Sequence, residues 1–420
     1  MYLDLLLEIL IGGVIGNFGL GVIKMQKNIL IVIGIISLFL GLYISPIVAI
    51  DNEEKYTHPL YNGNTLYVGG YGPGNYTRIQ DAINDASSGD RIYVYSGEYL
   101  ENLRITKTLT LEGENKHTTN INGNNIKTTV FINSENVILM DFTITNASSK
   151  YAGLEIQADN CIVENAIIQD CYRGVKLLNV KYTKIENCII NRWFTSPKFG
   201  FDIENSDFSF ISNNTITNLE FPLQLDKSDW NEISNNNFIS NEYGPWFLES
   251  HNNTFSNNEI TNCESFSFLI DQSSFNIITN NFIHDNEGIG IKLDFTMKNT
   301  FRNNLIINNF YGLILERSIL TLVINNEISN NEYGILLETS YGNFILKNNI
   351  IDNYRNANFR NAWANRWLGN YWEPHLFGPK IIFGKIYKLV PRGWTFEEVD
   401  IMILFKIDWN PAKEPYTVGV

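Results

Sequence analysis

The sequence is poor in positive charge, and this excludes one class of partner. Its 31 Lys and Arg residues are outnumbered by 45 Asp and Glu residues, giving a net charge of -14 and a pI near 4.9. Affinity for nucleic acid comes mostly from Lys and Arg that neutralise phosphates, so we exclude nucleic acid as a partner. Cys, His and Met are also scarce, at four, five and five residues, and the Met residues form no methionine-rich motif. Hydrophobic residues make up 44% of the chain, which excludes a disordered protein.

Long apolar runs are confined to the N-terminus. Lys24, Met25 and Lys27 precede an uncharged stretch at 28–50. This order is typical of a secretory signal, and the stretch is also long enough for a membrane anchor. We therefore predict a signal peptide or N-terminal anchor at 25–50, and interpret 1–24 as an extension upstream of the true start or as an extra hydrophobic segment. The folded part is expected outside the cytoplasm, with a membrane contacted only through this segment.

Asparagine recurs with a nearly fixed period. The doublet Asn-Asn begins at positions 213, 235, 257, 280, 303, 325 and 348, so the copies are 22 or 23 residues apart. Each doublet leads through several polar residues to a small residue and a short aliphatic strand, as in GILLETS at 334–340. These pieces are too short for helix pairs, which excludes tetratricopeptide and ankyrin arrays.

Short strands at this spacing predict an all-β solenoid, a parallel β-helix. Each coil would bury its aliphatic side chains against the coils above and below it. Asn suits the bends because it tolerates a left-handed backbone, and stacked amides can hydrogen-bond into a ladder. We predict a leader at 51–76, the β-helix at 77–363 and a Trp-rich C-terminal cap at 364–420.

A short amphipathic helix is predicted at 77–87, where it would close the first coil. Its apolar face contains Ile79 and Ile83, and Thr77 with Gln80 forms a capping box. Such a helix would shield aliphatic side chains and strand edges that the first coil otherwise exposes.

The stretch LYVGGYGPGNYTRIQDAINDASSGDRIYVYSGEYLENLRITKTLTLEGENKHTTNING at 66–123 resembles the opening of secreted right-handed β-helix proteins. The Asn-Asn repeats and GNYW at 369–372 are similar to the same group, the pectin-lyase-like, NosD-type and carbohydrate-binding and sugar-hydrolase (CASH) proteins. The resemblance covers roughly 64–372. It implies a right-handed single-stranded parallel β-helix. It implies no single activity, because members include polysaccharide lyases, glycosidases, epimerases, a copper-enzyme maturation protein and surface proteins.

Acidic residues recur on consecutive predicted coils, four residues after the small residue that opens each strand. They are Glu204, Asp226, Glu249, Asp271, Asp294, Glu316 and Glu338. Alternation places them on the solvent side, and counter-charge is sparse because only Lys227 and Arg317 follow them directly. In one interpretation each acid accepts backbone N–H bonds in the next turn, helped by the Ser or Thr two positions later. In the alternative, the column binds a cation such as Ca²⁺, a cationic polymer or glycan hydroxyls.

Aromatic residues form a second column, each preceding the small residue. They are Phe199, Phe221, Phe266, Tyr311 and Tyr333. Parity predicts that they point into the coil and stack in the core. Three tryptophans depart from the repeat and are candidate ligand-binding residues, because flat sugar faces stack on such rings. They are Trp193, Trp230 and Trp246.

Asp202, Glu204 and Asp226 are the candidate catalytic residues. A polysaccharide lyase or hydrolase needs clustered acids with a basic residue to transfer a proton, and Lys198 lies near this cluster in the sequence. No complete family catalytic motif is present to carry over from the resemblance.

Metal sites are not favoured by the sequence. A copper-handling role of the NosD type needs soft or imidazole ligands, and the five His residues never pair in register. The four cysteines share no column on adjacent coils, so neither a disulfide nor a zinc site is predicted. We expect no cofactor other than, in the cation interpretation of the acidic column, Ca²⁺.

The sequence therefore favours an exported cell-envelope or surface protein that binds an extracellular polysaccharide or another surface protein without catalysis. The first alternative is a polysaccharide lyase or glycoside hydrolase that uses acids near Asp202. The second is a NosD-like maturation factor for a copper enzyme.

Overall fold

The computed structural model describes residues 63–191, 198–373, 378–392 and 395–418. These residues form the short helix α1 (Ile79–Asp85) and a long series of strands. The first strands are β1 (Thr65–Val68), β2 (Arg91–Val94), β3 (Gly97–Leu100), β4 (Leu103–Ile105), β5 (Thr110–Gly113), β6 (Thr119–Asn122), β7 (Val130–Ile132), β8 (Ile138–Met140), β9 (Thr143–Thr145), β10 (Ala152–Ile156), β11 (Ile162–Glu164), β12 (Ile167–Gln169), β13 (Arg173–Leu178), β14 (Lys184–Glu186) and β15 (Ile189–Asn191). The middle strands are β16 (Phe199–Glu204), β17 (Phe210–Ser212), β18 (Thr215–Thr217), β19 (Phe221–Asp226), β20 (Glu232–Ser234), β21 (Asn237–Ile239), β22 (Trp246–Leu248), β23 (Thr254–Ser256), β24 (Glu259–Thr261), β25 (Leu269–Asp271), β26 (Ile277–Thr279), β27 (Phe282–His284), β28 (Ile289–Asp294), β29 (Thr300–Arg302) and β30 (Leu305–Ile307). The last strands are β31 (Tyr311–Glu316), β32 (Leu322–Ile324), β33 (Glu327–Ser329), β34 (Tyr333–Glu338), β35 (Phe344–Leu346), β36 (Asn349–Ile351), β37 (Arg355–Arg360), β38 (Arg366–Leu368), β39 (Tyr371–Trp372), β40 (Lys380–Arg392) and β41 (Thr395–Asp408).

The strands form three long sheets, and after the first coil every third strand joins the same sheet. Sheet A has 14 strands, from β1 and β2 through β5 to β38; sheet B has 13, from β3 to β39; sheet C has 14, from β4 to β37 with β40 and β41 added at its end. Successive coils pair in parallel, whereas β40 and β41 pair antiparallel as a hairpin. The predicted right-handed parallel β-helix is confirmed.

The interior of each coil is filled by side chains that alternate inward from its strands. In sheet A the inward row is apolar and fully buried. It comprises Ile211, Ile233, Phe255, Ile278, Phe301, Val323 and Ile345. Each such side chain contributes about 1.5–3 kcal/mol by leaving water, so the repeat is stabilised by a continuous apolar column. Outward residues on the same strands, such as Glu232, remain partly exposed.

The Asn doublets make the turn from sheet A to sheet B, as predicted. The first Asn of each pair has a left-handed backbone, with φ of 56° at both Asn213 and Asn235. The second Asn is buried and forms a ladder: the backbone N–H and the Nδ2 of Asn236 both donate to Asn258 Oδ1, at 2.9 and 3.0 Å. Asn236 Nδ2 also donates to the Ile211 carbonyl at 2.8 Å. The second position therefore uses the Asn side chain for hydrogen bonding, whereas the first position uses the ease with which Asn adopts a left-handed backbone.

The last doublet is one residue out of phase. Lys347 occupies the left-handed position, with φ of 54°, and Asn348 continues the ladder by donating to Asn370 Oδ1 at 3.0 Å. Asn349 lies at the start of β36 and is not the second member of a turn. The apparent step of 23 residues before position 348 is therefore a step of 22 in the structure, from Asn326 to Asn348 in the ladder.

The helix at the N-terminal end packs on the first coil, with Ile79, Ala82 and Ile83 buried. The predicted capping box is wrong, because the N-cap is Arg78 and makes no side-chain cap bond. The carboxylate of Glu101 instead accepts the backbone N–H groups of Ile79 and Gln80, at 2.8 and 3.0 Å. Glu101 follows β3, so a residue distant in sequence supplies the cap.

At the other end the coil strands continue to Trp372, beyond the boundary predicted at 363, and are followed by the hairpin of β40 and β41. The hairpin places Asp408 against the last coil, where its side chain is fully buried. Asp408 accepts hydrogen bonds from the Asn370 backbone, from Asn370 Nδ2 and from the Trp372 indole. The asparagine ladder therefore ends on a carboxylate.

All four cysteines are buried and unpaired, as predicted from their positions. Burial raises the pKa of the Cys161 thiol to about 11 and that of Cys188 to about 12. Such thiols stay protonated at neutral pH and act as small apolar side chains. The predictions for 1–24 and 25–50 lie outside the described residues. Among the residues that are described, no helix combines the length and apolarity needed to cross a membrane.

Candidate functional site

The outer face of sheet C carries the predicted acidic column, with one correction. Strand pairing aligns Glu204 with Asp226, Asp226 with Leu248, and Leu248 with Asp271. Glu249 lies one residue beyond the column, at a left-handed turn position with φ of 47°. Its predicted place in the column is wrong, because Gly244 and not Pro245 opens that coil. A Cβ on Gly244 would lie 1.7 Å from the Ser267 carbonyl oxygen, so only glycine fits there.

Three acids of the column form close ion pairs with cationic side chains. Lys176 Nζ lies 3.3 Å from Glu204, Lys292 Nζ lies 3.0 Å from Glu316, and Arg317 lies 2.5 Å from Asp294. The prediction of sparse counter-charge is wrong, because Lys176 and Lys292 each stand on the coil preceding the acid that they pair with. Pairing between coils cannot be seen in the local sequence.

The turns after the acids are held by serine rather than by carboxylates. Ser228 Oγ donates to the backbone carbonyl of Asp226 at 2.9 Å, and the Ser206 N–H donates to Ser228 Oγ at 3.0 Å. The same pattern recurs at Ser273 and Ser340. The predicted Ser/Thr turn is therefore present, but the hydroxyl groups form it.

The candidate catalytic residues lie together on adjacent coils. Asp202 and Glu204 project from β16, and Glu204 is in register with Asp226 of β19. Asp202 is only 4% exposed and forms an ion pair with Arg173, whose Nε lies 2.6 Å from Asp202 Oδ2. Burial raises the pKa of Asp202, and Glu204 adds to this effect while Arg173 and Lys176 oppose it. The group can therefore hold a proton at a higher pH than an ordinary aspartate, and its catalytic role stays a prediction.

The aromatic column is half-exposed, so the prediction that it fills the core is wrong. The chain turns into sheet C at Phe199, Phe221 and Phe266. Tyr243, which was not among the predicted residues, belongs to the same column because it precedes Gly244. The centroids of Phe221 and Tyr243 are 4.8 Å apart with nearly parallel rings. Stacking along the helix axis covers most ring faces and leaves edges toward solvent. The small residue after each ring must fit close to the next coil; a Cβ on Gly312, for example, would lie 2.7 Å from the Gly334 carbonyl oxygen.

The three candidate tryptophans differ in location and in exposure to solvent. Trp193 falls within 192–197, outside the described residues. Trp246 lies on β22, half-buried on the outer face of sheet C, and its indole N–H is buried with no hydrogen-bond partner among the described residues. Its ring centroid is 6.1 Å from that of Phe221. Trp230 is 55% exposed and lies in the turn from sheet C to sheet A.

That turn, here called the C-to-A corner, holds large side chains at left-handed positions. They are Tyr182, Phe208, Trp230, Phe275 and Leu320, with φ between 54° and 62°. A left-handed backbone costs a bulky L-residue about 1–2 kcal/mol, which Asn and Gly largely avoid. The sequence signal was available, since a large residue stands immediately before the buried Ser, Thr or Asn that begins the return to sheet A.

The exposed apolar surface at this corner continues along the β-helix. Besides Trp230 it includes Phe275, Phe295, Leu320, Tyr341 and Trp363, each at least 40% exposed. Three cations lie over rings of this corner: Lys181 over Phe208, Lys298 over Phe275 and Arg317 over Phe295. Exposed rings beside charged and amide groups can contact a ligand that has both apolar faces and hydroxyl groups.

Two family models match the chain. The model described as "Right handed beta helix region" matches residues 223–365, and the model described as "Periplasmic copper-binding protein (NosD)" matches residues 83–268. No curated protein matches the chain by sequence.

Solved structures with the same fold are distant in sequence. The Azotobacter vinelandii mannuronan C-5 epimerase AlgE4 A-module is 16% identical, with a TM-score of 0.50 over 69% of this chain and 97% of that one. The Dettilon tailspike protein gp208 is 14% identical, with a TM-score of 0.52 over 74% and 69%. DFA-IIIase from Arthrobacter chlorophenolicus A6, solved with GF2, is 13% identical, with a TM-score of 0.50 over 74% and 95%. At these identities the similarity establishes the fold alone.

The described residues do not fit the copper site that the NosD description implies. The thiols are buried and held protonated, whereas copper needs exposed soft or imidazole donors. His284 contacts Glu259 and Asp285 and stacks on Phe282, and His251 accepts a backbone N–H. Among the described residues no three His, Cys, Asp or Glu side chains lie close enough to hold a metal ion. The Ca²⁺ alternative for the acidic column stays a prediction.

Proposed function

We propose, for a chain that has the right-handed parallel β-helix of the pectin-lyase-like and NosD-type group, that it is an exported surface protein that binds polysaccharide without catalysis. The observation that carries the proposal is the C-to-A corner, where aromatic side chains occupy strained positions and remain exposed to water. Strain of this kind is retained at sites where it serves binding, because an Asn at the same position would be more stable. The corner borders the outer face of sheet C, which supplies carboxylate, amide and ammonium groups.

An extended, weakly charged glycan fits this surface better than other partners do. Coils repeat every ~4.8 Å, so the corner offers a straight row of contacts along which successive sugar units can lie. Exposed rings contact the apolar faces of sugars, and neighbouring polar groups reach their hydroxyls. The net charge of -14 opposes strongly acidic polysaccharides, so neutral or cationic ones are favoured.

The ion pairs on sheet C support binding rather than catalysis. Asp202 is paired with Arg173, Glu204 with Lys176, and Glu316 with Lys292. A carboxylate engaged in this way is a poor general base for a substrate, and Asp202 is nearly inaccessible.

Export is supported by two independent features. The uncharged stretch at 28–50 has the length and flanks of a signal or an anchor. The NosD model, which matches residues 83–268, is described as periplasmic.

The test is a polysaccharide-binding measurement combined with product analysis. Purified protein is incubated for days with neutral and cationic polysaccharides that it binds on an array. We expect binding with no release of new reducing ends. Failure to bind any polysaccharide would contradict the proposal, as would product release in step with enzyme concentration.

A polysaccharide lyase or hydrolase is the second candidate, favoured by one observation. Asp202 combines a raised pKa with an adjacent guanidinium, an arrangement suited to proton transfer. If products do form, Asp202→Asn is expected to abolish them. Glu186→Gln is the matched control, since it removes an ion-paired carboxylate, 2.6 Å from Lys184, on sheet A instead. Equal activity in both variants would exclude Asp202 as a catalytic residue.

A further inference from the structure

Most residues at the left-handed position of the C-to-A corner are large, but on one coil a small residue lies between two aromatic residues. Each residue of this column donates its backbone N–H to the residue just before its counterpart on the next coil. These bonds order the column as Phe208, Trp230, Asn252, Phe275 and Lys298. Asn252 therefore lies between Trp230 and Phe275, two aromatic residues that are 55% and 42% exposed.

Each ring of this pair has a neighbour on one side along the β-helix axis. Phe208 stacks beneath Trp230, with centroids 6.3 Å apart and planes within 8°. Lys298 Nζ lies 5.4 Å from the Phe275 centroid, on the side of the following coil. The coil that carries Asn252 lies on the other side of each ring.

The spacing of the two rings selects the shape of what can enter. Trp230 and Phe275 lie two coil steps apart, so ~9.6 Å along the β-helix axis separates the two residues. A flat aromatic ligand in contact with both would need only ~7–8 Å, at about 3.5–4.0 Å per contact. A puckered saturated ring is thicker and fills the remaining space.

Polar groups accompany these rings on the coil of Trp230 and on the coil of Asn252. The Asn252 side-chain amide makes no hydrogen bond within the described part of the chain, so it can both donate and accept. His251 Nδ1 accepts the Ser274 N–H at 3.0 Å, which places the proton of the neutral ring on Nε2 as a further donor. Asp229 Oδ1 accepts the backbone N–H of His251 at 2.6 Å, and its other carboxylate oxygen is left to accept a hydroxyl.

We infer that Trp230 and Phe275 form a slot that binds one pyranose ring of a neutral glycan, with Asn252 at its floor. This inference rests on the proposed function and gives the position at which a sugar binds. The slot holds a single sugar unit between two apolar faces, while Asn252, His251 and Asp229 bind its hydroxyls.

The test measures the affinity of the full-length protein for a set of hexasaccharides of glucose, mannose, xylose and N-acetylglucosamine by calorimetry. Trp230→Asn is expected to weaken binding at least tenfold without lowering the unfolding midpoint, because Asn is already the native residue of this column at Asn252. Asn252→Trp is expected to abolish binding by filling the slot with a third ring. Lys347→Asn is the matched control, since it places Asn at an exposed left-handed residue, with φ of 54°, in the A-to-B turn outside the C-to-A corner, and it should leave affinity unchanged.

The outcomes separate the slot from the wider function. Binding that survives both Trp230→Asn and Asn252→Trp overturns the slot and leaves polysaccharide binding elsewhere on the protein in place. Binding of none of the hexasaccharides overturns the slot, and with the array result also negative it overturns the proposed function. Loss of affinity in Lys347→Asn equal to that in Trp230→Asn also overturns the slot, since the effect would then not depend on the ring of Trp230.

Discussion

Asparagine has two separate roles in this protein, and position alone decides between them. At the left-handed residue of the A-to-B turn, the backbone conformation is what matters, and Lys347 and Gly369 serve there as well. At the next residue the side chain must donate and accept inside the coil, and the ladder from Asn214 to Asn370 has Asn on every coil. The C-to-A corner differs, because large aromatic residues occupy its left-handed positions although Asn would be less strained there. For this reason we assign its exposed rings a role in binding.

Left-handed strain at the corner predicts an unusual gain in stability on mutation. Leu320→Asn should raise the free energy of unfolding by about 1 kcal/mol, because Asn adopts this backbone at lower cost. The measurement is the urea midpoint. The reverse change at Asn330, an exposed left-handed residue with φ of 55°, should lower stability by a similar amount in Asn330→Leu. A loss of stability in Leu320→Asn would contradict this prediction and would show that contacts of the leucine side chain outweigh the strain of its backbone.

The carboxyl group of Glu232 is expected to make the stability of the protein depend on pH. Burial raises the pKa of this carboxyl, opposed only by a hydrogen bond from Ser234. A raised folded-state pKa means that the ionised group opposes folding above that pKa, and that the penalty vanishes below the unfolded value near 4.3. Glu232→Gln should therefore raise the unfolding midpoint at pH 7–8, by about 0.5 kcal/mol in stability, and have no effect near pH 3.5. A gain that persists at pH 3.5 would show that charge is not the cause.

At the scale of the element, the sequence predicts the coil well and its outer face poorly. The spacing of Asn and the aliphatic alternation are local patterns, and they predict the coil, its turns and the ladder. Ion pairs such as Lys176 with Glu204 join different coils and leave no local signal. The shift at Glu249 arose because Gly244 and Pro245 are both small, and only strand pairing distinguishes them. The half-exposure of Phe221 likewise depends on how the chain enters the strand, which alternation does not describe.

The ladder itself should be sensitive to the loss of one amide. Asn281 is fully buried, accepts from Asn258 and donates to Asn304 and to the Phe255 carbonyl. Asn281→Leu would leave buried partners on both neighbouring coils unsatisfied, at about 1–3 kcal/mol each, so we expect a total loss of at least about 3 kcal/mol in urea unfolding.

Its neighbour provides the control. Asn280 has a left-handed backbone, with φ of 56°, and precedes the ladder residue. Asn280→Gly keeps that backbone accessible and should cost less than about 1 kcal/mol. Equal losses in the two variants would contradict a specific role for the buried amides.

For the whole molecule, the two ends of the β-helix have to be closed because each coil is stabilised only by its neighbours. The helix α1 closes the first coil and depends on Glu101 for its cap. The hairpin of β40 and β41 closes the last coil and extends sheet C beyond β37. Both closures use a buried carboxylate that binds backbone N–H groups left open where the repeat stops.

Asp408 should therefore determine how readily the last coils of the β-helix unfold locally. Its carboxylate accepts N–H groups from Gly369, Asn370 and Trp372, at 3.0 to 3.1 Å. Asp408→Asn keeps the shape but places an NH₂ group where only acceptors fit, at a cost of about 2–3 kcal/mol. Because stability is carried between neighbouring coils, the effect should fade with distance from the end.

Hydrogen exchange measures this directly. In Asp408→Asn, amides of β38 and β39 should exchange about a hundredfold faster, the equivalent of about 2.7 kcal/mol, while amides of β17 and β20 keep their rates. Asp352→Asn is the control, since it removes an exposed carboxylate from the same end of the protein without touching the ladder. Uniform acceleration along the chain would instead mean that the β-helix unfolds as one cooperative unit, with the cap contributing to global stability and not to the last coils alone.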